Sequence, residues 1–138
     1  MTVQAINRDQ LFLSQKAAKA TPADGQVIQD LKDTLAVHRQ ECVGMAANMI
    51  GVNKKIIIAS IAPMLDLIMV NPRITAKSGA FNTMEGCLSL KGQRPTKRYH
   101  EITVEFLNEN FEARVQTFKD WPAQIIQHEL DHCQGIII

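Results

Sequence analysis

The spacing of apolar residues changes period several times along the chain. In "TPADGQVIQDLKDTLAVHRQ", Val27, Ile28, Leu31 and Leu35 recur at helical intervals, His38 extends the series, and Asp24 stands near its start. This predicts an amphipathic helix over about 24–39. Residues 7–19 carry a weaker version of the pattern and suggest a short helix. "KKIIIAS" is an apolar, β-branched run that fits a buried strand. "LDLIMVNP" reads as another strand, which Asn71-Pro72 should stop. "YHEITVEFLN" and "FEARVQTFK" alternate apolar and polar residues around Glu109-Asn110, the pattern of a β-hairpin. Beyond them Asp120 is placed to cap a helix that begins at Trp121-Pro122, runs to about Cys133 and ends at Gly135. Ile136 to Ile138 would then form a terminal strand stub. Strands before a late helix argue for an α+β fold and against βαβ alternation. With no repeat, low-complexity tract or linker, residues 1–138 read as a single domain.

Composition narrows the class. The chain is 46% apolar and 21% charged with a formal charge of +1, which suits a globular core and excludes a disordered chain. Scattered Lys and Arg give no nucleic-acid surface, and the cluster at Arg94, Lys97 and Arg98 reads as a solvated loop. No apolar run is long enough to span a bilayer, and the N-terminal stretch lacks a basic region leading into an apolar one. A cytoplasmic protein is expected. Cys42, Cys87 and Cys133 are odd in number and widely spaced, which favours thiols or a metal ligand over a disulfide framework.

The chemistry is concentrated in three segments. His128-Glu129-Leu130-Asp131-His132 is an H-E-x-x-H motif on the predicted C-terminal helix. Residues four apart stack on one helical face, so both imidazoles can reach one cation, and Glu129 can act as a base for water beside it. Trp121, Ile125, His128 and His132 share that face. A catalytic metal normally has three protein ligands and an open position. No His or Glu follows His132, so the third ligand is expected upstream. Cys87, within "MEGCLSL", is the natural candidate. Cys42 and Cys133 compete on chemistry alone, although Cys133 is better read as packing. The third segment, "GMAANMIG" from Gly44 to Gly51, has glycines too far apart for a phosphate loop.

Together, "CVGMAANMIG", "EGCLSL" and "QHELDH" resemble the three motifs of the peptide deformylases, in the family's order and at similar separations. The resemblance implies an α+β fold in which antiparallel β-sheets pack around a central metal-binding H-E-x-x-H helix, with an amphipathic helix toward the N-terminus. It implies Cys87, His128 and His132 as metal ligands, Glu129 as general acid/base and the Leu88 N–H as an oxyanion donor. The metal would be Fe2+, for which Zn2+, Ni2+ or Co2+ can substitute. The reaction would be hydrolysis of the N-formyl group of initiator methionine in new polypeptides, releasing formate. An N-formylmethionyl peptide is the implied partner, with room for transient contact with the ribosome and none with specific nucleic acid or membrane. By position, Val43, Gly44 and Ile125 match residues lining the methionine slot, and Trp121 and Gln124 fall at slot positions too. Gln124 is more polar than the usual occupant. Glu85 and Arg98 resemble an ion pair that supports the cysteine loop, and Arg94 resembles a substrate-side arginine.

The first motif departs from the family pattern. Cys42 replaces a glycine, and Met49 stands where a glutamine normally donates a hydrogen bond to the substrate carbonyl. A thioether cannot donate, and losing one oxyanion donor costs about 3–4 kcal/mol. Asn48 is an amide next door, but adjacent side chains point differently. The leading expectation is an active deformylase of lowered rate. The competing ones are a paralogue that binds metal and peptides without turnover, and a related hydrolase of another small amide.

Overall fold

The computed structural model describes residues 3–63, 65–87, 89 and 91–136. Five strands form one antiparallel sheet in the order β1-β2-β3-β4-β5: β1 (Gly44–Ala46), β2 (Ile56–Ala62), β3 (Leu65–Glu85), β4 (Arg94–Leu107) and β5 (Ala113–Lys119). Three α-helices accompany them: α1 (Gln10–Leu13), α2 (Gly25–Val37) and α3 (Asp120–Cys133). The α+β class is as expected. The described residues form one sheet where several had been anticipated, and the helices pack on its two faces instead of one helix lying centrally.

β2 explains that layering. Ile56 and Ile58 join Ile28, Leu31 and Leu35 of α2 in one apolar cluster, while Ile57 and Ala59 join Ile125 and Ile126 of α3 in another. Because successive strand residues face opposite sides, a run apolar at every position is the expected sequence of a strand covered on both faces. Among the described residues no helix is long and apolar enough to cross a membrane.

Several boundaries differ from the sequence expectation, each for a local reason. β3 does not stop at Asn71-Pro72; it continues to Glu85 across a register shift between Val70 and Arg73. Pro72 has no N–H to lose where the ladder is already interrupted by a bulge. Asn71 takes a left-handed backbone (φ 50°), which Asn tolerates better than most residues. Its side chain accepts from the Ala20 N–H at 2.8 Å and donates to the Ala20 carbonyl at 3.0 Å, standing in for a strand partner. The helix expected over 7–19 shrinks to one turn, because Ala17 and Ala18 give their N–H groups to Cys133 and Asn53. Asp120 does not cap α3: Lys119 is the extended N-cap residue, and Asp120 is the first helical position at φ 56°. Arg94, Lys97 and Arg98 lie on strand β4 and not in a loop, and Arg98 is buried.

The end of α3 is as expected. Gly135, at φ 79°, donates to the His132 carbonyl while Ile136 donates to that of Asp131, the paired closure of a Schellman motif. A Cβ at Gly135 would also strike the Ser14 carbonyl. Ile137 and Ile138, most of the expected strand stub, lie outside the described residues, and Ile136 is in no strand.

Replacing Asn71 with Ala removes both bonds to Ala20, which is itself buried, and leaves a left-handed backbone without its side-chain support. A loss of about 3 kcal/mol is expected, read as a lowered denaturant midpoint at unchanged slope.

Candidate active site

His128, Glu129 and His132 all lie on α3, and the residue just before them helps to dock this helix onto the sheet. Gln127 accepts from the Tyr99 N–H at 2.8 Å and donates to the Tyr99 carbonyl at 2.8 Å, so the helix borrows the backbone edge of β4. That orientation turns His128, Glu129 and His132 inward, and all three are buried. Their possible ligand atoms lie within 4.8 Å of one another.

Beneath His128 sits a buried charge cluster. The Glu85 carboxylate at the end of β3 receives Arg98 Nη2 at 2.7 Å and Gln124 Nε2 at 2.8 Å, and stands 2.8 Å from His128 Nδ1. Arg98 Nη1 reaches forward to Asp131 at 2.7 Å. Arg98 therefore joins β3, β4 and α3. Burial would raise the Glu85 pKa, but the hydrogen bonds from His128, Arg98 and Gln124 outweigh it and hold the group down at about 2. A carboxylate on Nδ1 fixes the ring of His128 and leaves Nε2 as its other donor atom.

His132 is arranged differently. Its Nδ1 lies 3.0 Å from Glu129 Oε1, in an orientation that does not make a hydrogen bond. Both atoms, and His132 Nε2, are buried without a hydrogen-bond partner. Burial lowers the basicity of His132, yet the Glu129 carboxylate and then Cys87 overcome it and push the pKa up to about 10. Glu129 and Cys87 thus make the surroundings of His132 favour positive charge.

A cavity of about 640 Å³ opens over this group. Val43, Gly44 and Met49 form one wall, Glu85 to Cys87 another, and Trp121, Gln124, Ile125, His128 and Glu129 the floor along α3. Val43, Met84 and Trp121 are exposed apolar side chains at its border. A smaller void is lined by Leu13, Asn48, Met49, Cys87, Ser89 and His132, so Met49 and Cys87 border both spaces.

The residues expected from sequence thus meet, with particular exceptions. Arg94 lines neither void and donates to the Lys91 carbonyl at 2.7 Å. Asn48 donates one N–H to the His132 carbonyl at 2.8 Å, which ties its amide to the end of the helix. Leu88 lies outside the described residues. None of the cysteines is in a disulfide. Burial, reinforced by Glu129, pushes the thiols of Cys42 and Cys133 up to about 12, so both stay protonated at neutral pH. The parts played by Gln127, Met84 and Asp131 are not legible in the motifs that contain them. For Asp131 a signal existed, since a buried arginine needs more than one acceptor to satisfy its fork.

The polypeptide deformylase family profile matches residues 3–138. The chain belongs to the peptide deformylase family. A peptide deformylase of Clostridium beijerinckii is 48% identical over 136 residues, covering 99% of each chain. The actinonin-bound class I type b peptide deformylase of Acinetobacter baumannii superposes with a TM-score of 0.87 at 28% identity, over 99% of this chain and 96% of the other. The Met-Ala-Ser-bound form of that enzyme gives 0.86 at 27% identity, covering 99% and 97%.

Gly44 shows how tightly this member of the family closes its site. A Cβ there would lie 2.8 Å from Ile125 Cγ2 and 2.9 Å from Glu129 Oε2, both inside van der Waals contact. Gly44→Ala is expected to displace Glu129 and cost on the order of a hundredfold in hydrolytic rate. The circular dichroism spectrum should stay near that of the unmodified chain. An unchanged rate would mean that Ile125 gives way and Glu129 does not.

Proposed function

We propose that residues 1–138 act as one domain that removes the N-formyl group from the initiator methionine of nascent polypeptides, releasing formate in the cytoplasm. The chain is a peptide deformylase, a hydrolase of linear amides. The observation that carries this reading is Glu129: a carboxylate buried at the cavity, with one oxygen unpartnered, between two histidines and beside a glycine whose missing Cβ leaves room for it.

Cys87, His128 and His132 are the proposed ligands of a divalent cation, Fe2+ with Zn2+, Ni2+ or Co2+ as substitutes. The donor set fits such an ion. His132 has both nitrogens buried, Glu85 anchors His128 through Nδ1, and Cys87 borders both voids and is in hydrogen-bonding reach of His132. Bound there, the cation would supply Lewis acidity toward water and the formamide oxygen.

The chain's own groups supply the rest. Glu129 takes a proton from the attacking water and delivers it to the departing amine, a transfer helped by its seclusion from solvent. The methionine side chain enters the apolar part of the cavity at Val43, Trp121 and Ile125. β1 is an edge strand of the sheet, so an extended peptide can lie along Gly44, next to the carboxylate. The Leu88 N–H is the proposed oxyanion donor. Transient contact with the ribosome is proposed for a nascent-chain enzyme, and Arg94 is proposed as its substrate-side arginine.

Iron-loaded, anaerobically purified protein is expected to release formate from formyl-Met-Ala-Ser. Glu129→Ala should abolish the release while still binding metal. Absence of any Glu129-dependent release would favour the peptide-binding alternative. Met49 borders both voids beside Cys87, where a side-chain donor would serve the oxyanion. Met49→Gln is expected to raise kcat/KM by roughly a hundredfold, the usual worth of one such donor. An unchanged kcat/KM would show that this site stabilises the oxyanion without it.

A further inference from the structure

Arg98 grips the Glu85 carboxylate side-on, through two of its nitrogens. Arg98 Nη2 bonds Oε1 at 2.7 Å, but Nε is shared at 3.1 Å with each oxygen. Oε1 also serves His128 Nδ1 at 2.8 Å. The shortest bond to Oε2 comes from Gln124 Nε2, at 2.8 Å. The terminal torsion of a glutamate is broad, and an Nε shared equally between both oxygens holds it weakly, so a short bond to Oε2 adds to what fixes the carboxylate's orientation. Gln124 also lines the cavity, one helical turn before His128. The same side chain therefore forms part of the slot wall and holds the carboxylate that orients a histidine.

We propose that Gln124 is a positioning residue: by holding Oε2 of Glu85 it keeps Oε1 on His128 Nδ1, and so couples the wall of the substrate slot to the metal-binding histidine. This rests on the assignment of His128 as a ligand but not on the identity of the substrate. It gives a physical role to a residue that is too polar for a methionine slot. A group pressed against Gln124 from the cavity acts on His128 through two hydrogen bonds.

Gln124→Met isolates the effect, since methionine nearly matches glutamine in length and volume but cannot donate. Zn2+ titrated into the metal-free protein against a chelator should bind about tenfold more weakly in the variant, the lower end of what loss of such an orienting partner costs. The Co2+-loaded variant should show a shifted visible absorption band, and kcat should fall with KM little changed. The thermal midpoint of the metal-free protein should stay near that of the unmodified chain. Unchanged Zn2+ affinity and an unchanged Co2+ band would overturn the proposal. So would a loss of affinity that tracks a lowered midpoint, which would make Gln124 merely structural. Gln124→Leu, smaller and equally unable to donate, serves if the methionine variant does not fold. Because the titration needs no substrate, its outcome is separable from the formate assay.

Discussion

The site depends on a guanidinium that has been taken out of water. Arg98 is 3% exposed, and a buried charge is tolerated only when its hydrogen-bonding positions are answered. Glu85 answers from β3 and Asp131 from α3, so the need to neutralise one cation brings a strand end and a helix into fixed relation. His128 and Gln124 then attach to the same carboxylate. Such a cluster contributes little net stability compared with an apolar replacement, yet removing one partner leaves the other charged and costs about 3–5 kcal/mol. Its effect here is geometric. It converts a two-strand ribbon and a helix, which could slide on greasy contacts, into a frame with one arrangement.

Electrostatics on the other side of the cavity complement that frame. Glu85 is kept anionic by three donors, whereas the second carboxylate, Glu129, has an oxygen left without one. Two carboxylates on neighbouring elements thus differ in what they can do. One is saturated and holds a ring; the other has a lone pair in reserve for a proton. The unused nitrogens of His132 and the protonated state of Cys42 and Cys133 divide the remaining donors in the same way.

Much of this was legible in the residues, and what was not has physical causes. The chemistry of H-E-x-x-H is carried by helical spacing alone, so the grouping of His128, Glu129 and His132 could be read directly. The strand at "IIIAS" and the hairpin around Glu109-Asn110 follow from local pattern too. The passage of β3 through Asn71-Pro72 could not be read, because it depends on a bond to Ala20 some fifty positions away. The same holds for the short α1, whose continuation is drawn off by the C-terminal end of α3 and by Asn53. Asp131 and Gln127 look like ordinary polar helix residues; only the buried arginine and the open edge of β4 give them work. Met49 was recognisable as a departure, but the commitment of Asn48 to the His132 carbonyl required coordinates.

β2 raises a question of information. A strand of consecutive isoleucines between two apolar layers could slip by one residue and still present an apolar side chain everywhere, so hydrophobicity leaves its register undetermined. Bulk supplies what polarity cannot. Ala59 pairs with Gly44, setting two small residues opposite each other where a Cβ on Gly44 would strike Ile125 and Glu129 of α3. A slip by one would bring Ile58 or Ser60 into that pairing. The alignment of the whole strand is thus written in the absence of a few carbon atoms, at the same crossing that lines the cavity.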